Sequence, residues 1–141
     1  MLFRSGGKSA LGRFLGDSVK LIRKDLVQSF GITPKNSEQA FALDAMRDPS
    51  ISLLSLSGVA GTGKTLMTLA GALECRRDYT QIFITRKTVS LGNELGFLPG
   101  DVDSKLDPFM EPFFDNLDFM EEISSGNREA IKRMKIGRAH V

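Results

Sequence analysis

The apolar positions of this chain fall into short runs and helical stripes separated by Gly, Pro and Asp. Ile51-Ser52-Leu53-Leu54-Ser55-Leu56-Ser57 is a short, largely apolar run and predicts a buried strand. Leu66, Leu69, Ala70 and Leu73 then recur at i, i+3, i+4 and i+7, which is one face of a helix ending near Arg76-Arg77-Asp78-Tyr79. Gln81-Ile82-Phe83-Ile84-Thr85 predicts a second buried strand. Strand, helix and strand in one unit imply a right-handed crossover, so the two strands are expected to run parallel. Upstream, a helix is expected from Asn36-Ser37-Glu38-Gln39, carrying Phe41, Leu43 and Met46 inward until Asp48-Pro49 stops it. Before that, Phe30-Gly31-Ile32-Thr33-Pro34 reads as an extended or turn segment. Residues 6–30 read as a linker holding one strand at Val19-Lys20-Leu21-Ile22. Downstream, residues 91–100 read as a loop with a turn at Pro99-Gly100. Asp107-Pro108 is suited to opening a helix in which Phe109, Phe113, Leu117 and Met120 share a face and Pro112 kinks the start. Residues 127–135 begin another helix. The alternation places the chain in the α/β class.

Between the first run and its helix lies Gly58-Val59-Ala60-Gly61-Thr62-Gly63-Lys64-Thr65. It fits G-x-x-x-x-G-K-[S/T], the Walker A phosphate-binding loop of nucleoside triphosphatases, in the strand–turn–helix context that the motif requires. The residue types explain the chemistry. Glycines let the backbone bring N–H groups close to phosphate oxygens. The helix beginning near Lys64 points unpaired N–H groups and the positive end of its dipole at the same anion. Lys64 supplies a point charge for the β- and γ-phosphates, and the Thr65 hydroxyl is placed to ligate Mg²⁺. Lys64 and Thr65 are therefore the candidate catalytic residues, and ATP with Mg²⁺ the expected ligands.

Asn36-x-x-Gln39 admits two readings. One is a capping box at a helix start. The other is an adenine reader, since a Gln amide offers a donor and an acceptor together, matching the edge of adenine. Helicase-type ATPases place such a Gln upstream of the phosphate loop, and Gln39 precedes Gly58 at a matching distance. Thr85-Arg86-Lys87-Thr88 follows the second strand, at the sheet edge where open α/β folds bind ligands. Arg86 and Lys87 there are either nucleic-acid phosphate contacts or a solvated strand end. The phenylalanines at 97, 109, 113, 114 and 119 sit amid acids that would repel phosphate, which favours core over base stacking.

Composition adds bounds. A chain of 141 residues suits a single domain, with 41% hydrophobic and 26% charged residues. No apolar run approaches the ~18 residues of a membrane span. Cys75 stands alone, which excludes an internal disulfide and suits a reducing cytoplasm. With His140 also alone, a soft metal site has no ligands to draw on. Leu2-Phe3-Arg4-Ser5 and Ile136-Gly137-Arg138-Ala139-His140-Val141 resemble the translation of the two strands of a sequencing adapter. Residues 6–135 are therefore expected to be the natural part, cut from a longer reading frame. Without Arg4 and Arg138 the 19 basic residues fall level with the 17 acidic ones, so net charge carries no argument for a nucleic-acid partner. Residues 6–35 remain locally basic and 94–122 strongly acidic.

At GITPKNSEQAFALDAM, LSGVAGTGKT, ITRKTVSLGNELGFLPGD and DPFMEPFFDNL the chain resembles the PhoH family, the phosphate-starvation-inducible ATPases. The resemblance implies a P-loop NTPase fold, RecA-like and close to superfamily 1 helicases, with a parallel sheet under flanking helices. It also implies ATP, Mg²⁺, coupling to RNA and a ring oligomer in the intact protein. The alternative is a nucleotide-dependent switch or scaffold without a nucleic-acid partner. Ser9-Ala10-Leu11-Gly12-Arg13 resembles the linker of the form in which a PIN ribonuclease domain precedes the ATPase. Two departures stand out. Family members read T-R-P where this chain has Thr85-Arg86-Lys87, and no apolar strand ending in Asp-Glu-Ala-Gln follows residue 86. Hydrolysis needs such a carboxylate to help hold Mg²⁺ and position water, so nucleotide binding without turnover is expected of residues 6–135, of which 31–135 would be the N-terminal part of the ATPase domain.

Overall fold

The computed structural model describes residues 2–5, 8–23, 27–85, 102–123 and 136–138. They belong to two units, Met1–Asp78 and Tyr79–Val141.

The first unit opens with a sheet where the pattern predicts a linker with one strand. β1 (Leu2–Ser5), β2 (Lys8–Phe14) and β3 (Val19–Ile22) form an antiparallel meander in the order β1-β2-β3. The sequence hides two of these strands because backbone groups, not apolar alternation, hold them together. Residues directly opposite across a pair share a face. Leu11↔Ile22 and Arg13↔Lys20 lie on one face, and Gly12↔Leu21 and Phe14↔Val19 on the other. Leu11 and Ile22 are buried, whereas Phe14, Val19 and Leu21 are exposed. The buried face also carries charges that tie the sheet to the next helix. Arg13 pairs with Asp48 at 2.5 Å and with Asp44 at 3.4 Å, and Lys20 reaches Asp44 at 3.7 Å.

A tight turn follows at Ser29–Ile32, whose end residues exchange backbone hydrogen bonds of 3.0 and 2.8 Å. Phe30 sits in the left-handed region at φ +48°, a conformation that costs a side-chain-bearing residue about 1–2 kcal/mol. Its surroundings hold it there. The ring is 4% exposed, its N–H donates to Glu74 Oε2 at 2.7 Å, and the Arg76 guanidinium lies 4.9 Å from the ring centroid.

α1 (Ser37–Met46) starts as the sequence predicts, with Asn36 as its N-cap. Its inward face differs from expectation: Ala40 and Leu43 are fully buried and Ala42 is buried, while Phe41 and Met46 are half-buried. Beyond its end, Asp48 Oδ1 accepts hydrogen bonds from the Ser50 N–H at 2.9 Å and the Ser50 hydroxyl at 2.6 Å. With Arg13 beside it, these bonds hold the Asp48 carboxyl at about 2, below its ordinary value.

The run 51–57 does not form the expected strand. It is irregular and largely exposed, with Leu53 88% accessible. An apolar run becomes a strand only where a neighbour supplies ladder hydrogen bonds, and among the described residues none pairs with it. α2 (Lys64–Glu74) follows the glycine-rich loop and ends in a 3₁₀ turn at Cys75–Arg77. It buries Met67, Leu69, Ala70, Gly71 and Leu73. Burial of Leu43 and Leu73 contributes about 1.5–3 kcal/mol each. The two helices approach closely at Gly71, where a Cβ would clash with Met46 Sδ and lie 3.1 Å from Met46 Cβ.

The second unit contains β4 (Ile82–Ile84), paired in parallel with β5 (Ile136–Arg138), and α3 (Val102–Ile123). β4 falls within the predicted Gln81–Thr85 but is not the buried strand expected there: Ile82 and Ile84 are half-buried and Phe83 is exposed. Its parallel partner is β5 instead of 51–57, which makes no strand. Residues 2–5 and 136–138, within the segments that resemble adapter sequence, thus take strand geometry through main-chain bonds. α3 begins at Val102, ahead of the expected start at Asp107-Pro108, so Pro108 and Pro112 lie inside it. Each removes one backbone donor from the helix. Met110, Leu117 and Met120 form its buried stripe. Of the phenylalanines expected in the core, Phe113 is half-buried and Phe114 and Phe119 are exposed. At 100° per residue Phe119 falls opposite the stripe and Phe114 at its border. Residues 91–100 and 127–135 lie outside the described residues. Among the described residues no helix is long and apolar enough to cross a membrane.

Candidate functional site

The loop Gly58–Thr65 turns into α2 through two left-handed glycines, Gly61 at φ +79° and Gly63 at φ +81°. Gly63 is the N-cap of α2. Its carbonyl accepts from the Met67 N–H at 2.9 Å, closing the first helical turn. The N–H groups of that first turn have no intrahelical partner and carry the positive end of the dipole.

Lys64 folds back over the loop. Its ammonium donates to the carbonyl oxygens of Gly58 at 2.9 Å and Val59 at 2.8 Å, and to Thr62 Oγ1 at 3.4 Å. Thr62 Oγ1 donates to the Val59 carbonyl at 3.0 Å, drawing the loop closed on itself. A lysine charge held by neutral carbonyls lacks a counter-anion in these contacts, so an incoming anion can replace carbonyl partners with charge-assisted ones. Ala60, like Thr65, is exposed.

Gln39 reaches the loop from α1. Its N–H donates to Asn36 Oδ1 at 2.8 Å, as a capping box requires. The reciprocal bond is displaced by one residue, since Gln39 Oε1 accepts from the Lys35 N–H at 2.8 Å and not from that of Asn36. Gln39 Nε2 donates to the Thr62 carbonyl at 3.1 Å. Between α1 and the loop lies an open cleft of about 340 Å³, lined by Asn36, Glu38, Gln39, Ala42, Leu56, Ser57, Gly58, Val59, Thr62, Lys64 and Met67. The structure thus brings Gln39 together with Gly58, Val59, Thr62 and Lys64. The apolar wall of Leu56, Ala42 and Met67 was not foreseen. Leu56 and Met67 show in the sequence only as apolar residues flanking the glycine-rich loop, and Ala42 on α1 leaves no such sign.

Arg86 and Lys87 lie outside the described residues, as does Phe97. Among the described residues no group of three or more His, Cys, Asp or Glu is placed to hold a metal ion. Cys75 is structural in its contacts. Burial pushes its thiol pKa up, and Sγ–H donates to the Met46 carbonyl at 3.6 Å.

Residues 31–140 match a family model described as PhoH-like protein. The chain is similar to Protein PhoH2 of Bacillus subtilis (strain 168), 40% identical over 122 residues, covering 82% of this chain and 27% of that protein. It is likewise similar to Protein PhoH2 of Thermobispora bispora, 40% identical over 114 residues, covering 77% of this chain and 26% of that protein. The PhoH-like protein of Mycobacterium tuberculosis (strain ATCC 25618 / H37Rv) is 39% identical over 88 residues, 61% of this chain and 24% of that protein. The chain therefore spans about a quarter of the length of these curated relatives. No solved structure matches it.

Proposed function

The chain belongs to the PhoH-like protein family, and from that premise we propose that it is the ATP-binding part of a PhoH-like ATPase. The observation that carries this reading is Lys64, whose ammonium rests on the Gly58 and Val59 carbonyls at the head of α2 beside an open cleft. The glycine-rich loop and the first turn of α2 bind the phosphates through backbone N–H groups, and Lys64 exchanges its carbonyl partners for phosphate oxygens. Thr65, in that first turn, would offer a hydroxyl to hold Mg²⁺. When bound, Mg²⁺ neutralises charge on the β- and γ-phosphates. We read the fold as RecA-like, with the loop and α2 as its nucleotide-binding core.

The test is a calorimetric titration of the chain with Mg·ATP. Lys64→Ala removes a charge-assisted contact and lowers affinity by about 1.5–3 kcal/mol, roughly 10- to 150-fold. Equal affinity in the two chains would reject the loop as the site. For the intact protein we propose coupling to RNA, with Arg86 and Lys87, which follow β4 in the sequence, as phosphate contacts. RNA-stimulated ATP turnover at low salt supports this coupling. Its absence favours a nucleotide switch, the reading that the acidic segment 94–122 suggests.

A further inference from the structure

We infer that Gln39 is a positioning residue for the phosphate loop, a strut acting through the Thr62 carbonyl; this rests on the nucleotide reading above. The orientation of its amide follows from its partners. A backbone N–H, that of Lys35, can be met only by Oε1, and a carbonyl, that of Thr62, only by Nε2. Both ends of the side chain are thereby pinned, at 2.8 and 3.1 Å. The backbone from which it projects is anchored as well, because Asn36 Oδ1 accepts the Gln39 N–H at 2.8 Å.

Thr62 is where a strut has most leverage. Its carbonyl belongs to the peptide unit that leads into Gly63, the left-handed N-cap of α2. A trans peptide is planar, with C=O and N–H pointing opposite ways. Holding the Thr62 carbonyl toward Gln39 therefore directs the Gly63 N–H away from Gln39 and fixes that donor before any anion arrives. The same residue's hydroxyl bonds the Val59 carbonyl at 3.0 Å and lies 3.4 Å from Lys64 Nζ, so the strut steadies the lysine's perch too. Preset donors spare a bound anion the cost of ordering them. A Gln amide keeps a second N–H and a second lone pair, so contact with a base is a separate question that experiment can divide from this one.

The experiment uses the full 141-residue chain and the substitution Gln39→Leu. Affinities for ATP, GTP and tripolyphosphate, each with Mg²⁺, are measured by calorimetry. Order parameters of the Gly61 and Gly63 N–H bonds are measured by ¹⁵N relaxation without ligand. One neutral hydrogen bond is involved, so all three ligands should weaken by a common factor of about 2–10, and the Gly63 order parameter should fall. Amides within α1 should keep theirs. Gln39→Glu keeps the acceptor for Lys35 and loses the donor to Thr62, so it should lower the Gly63 order parameter as well while leaving the helix start intact. A fall in ATP affinity alone, with GTP and tripolyphosphate unchanged, would make Gln39 a base reader and overturn the strut. An unchanged Gly63 order parameter in both variants overturns it too. A wild-type chain that binds none of the three refutes the nucleotide reading, and the relaxation result then still decides the strut.

Discussion

Gly61 and Gly63 form a matched pair for testing how the loop is built. Both sit in the left-handed region, at φ +79° and +81°. An added Cβ meets nothing within 4 Å at Gly61, and at Gly63 meets Gln39 Nε2 at 3.4 Å, an ordinary contact. Neither substitution to Ala creates a clash, so the cost of each is the backbone conformation itself. That cost is about 1–2 kcal/mol per residue, which for a chain of this size lowers Tm by roughly 3–8 °C. If the loop relaxes instead, the penalty moves from stability to binding: Tm holds while Mg·ATP affinity drops by a similar free energy, about 5- to 30-fold. Circular-dichroism melts and calorimetry together therefore capture the effect whichever way it divides. Asn adopts this conformation more readily than Ala, so Gly63→Asn should lose less than Gly63→Ala. The reasoning is refuted if both Ala variants melt and bind as the wild type does, or if Asn is the worse substitution at 63.

Gly71→Ala tests the helix pair. Its Cβ would come within 3.1 Å of Met46 Cβ, and overpacking of this kind costs about 1–3 kcal/mol in a denaturant melt, whereas Gly71→Ala together with Met46→Ala should recover part of it. Asp48 tests the tie below α1. Its folded-state pKa is lowered to about 2, first by the Ser50 hydroxyl and N–H bonds and then by Arg13. Its contribution is therefore present above the ordinary carboxylate value and fades as pH falls from about 4 through 2. In Asp48→Asn that part of the acid-induced loss of stability should vanish, and an unchanged pH profile would argue against the cluster.

Much of the candidate site was legible because its requirements are local. A loop that wraps an anion needs glycine at set positions and a helix directly after it, and Gly58 to Thr65 carries both within eight residues. The start of α1 was legible for the same reason, since Asn36 caps a backbone N–H only three residues on. The side of the cleft formed by Leu56, Ala42 and Met67 was not, because an apolar residue looks alike whether it fills a core or lines an opening. The start of α3 was misplaced because Asp107-Pro108 is a good helix opening in isolation, yet Pro108 and Pro112 sit within the helix.

By itself, then, the sequence determined the elements whose causes lie within a few residues: the cap at Asn36, the left-handed turn into α2, and the placing of Lys64 and Thr65 on its first turn. Tertiary structure alone decided what depends on a distant partner. β1 and β2 exist through ladder bonds, while the more apolar run 51–57 lacks such a neighbour among the described residues and forms no strand. Arg13 reads as a surface charge until β2 brings it to Asp44 and Asp48. Gln39 reads as half of a capping box or as an adenine contact until the fold carries Thr62 to its amide. Local hydrogen bonds and backbone preferences are written in neighbouring residues, whereas a strand or a strut takes its energy from a group that only the folded chain brings within 3 Å or so of it.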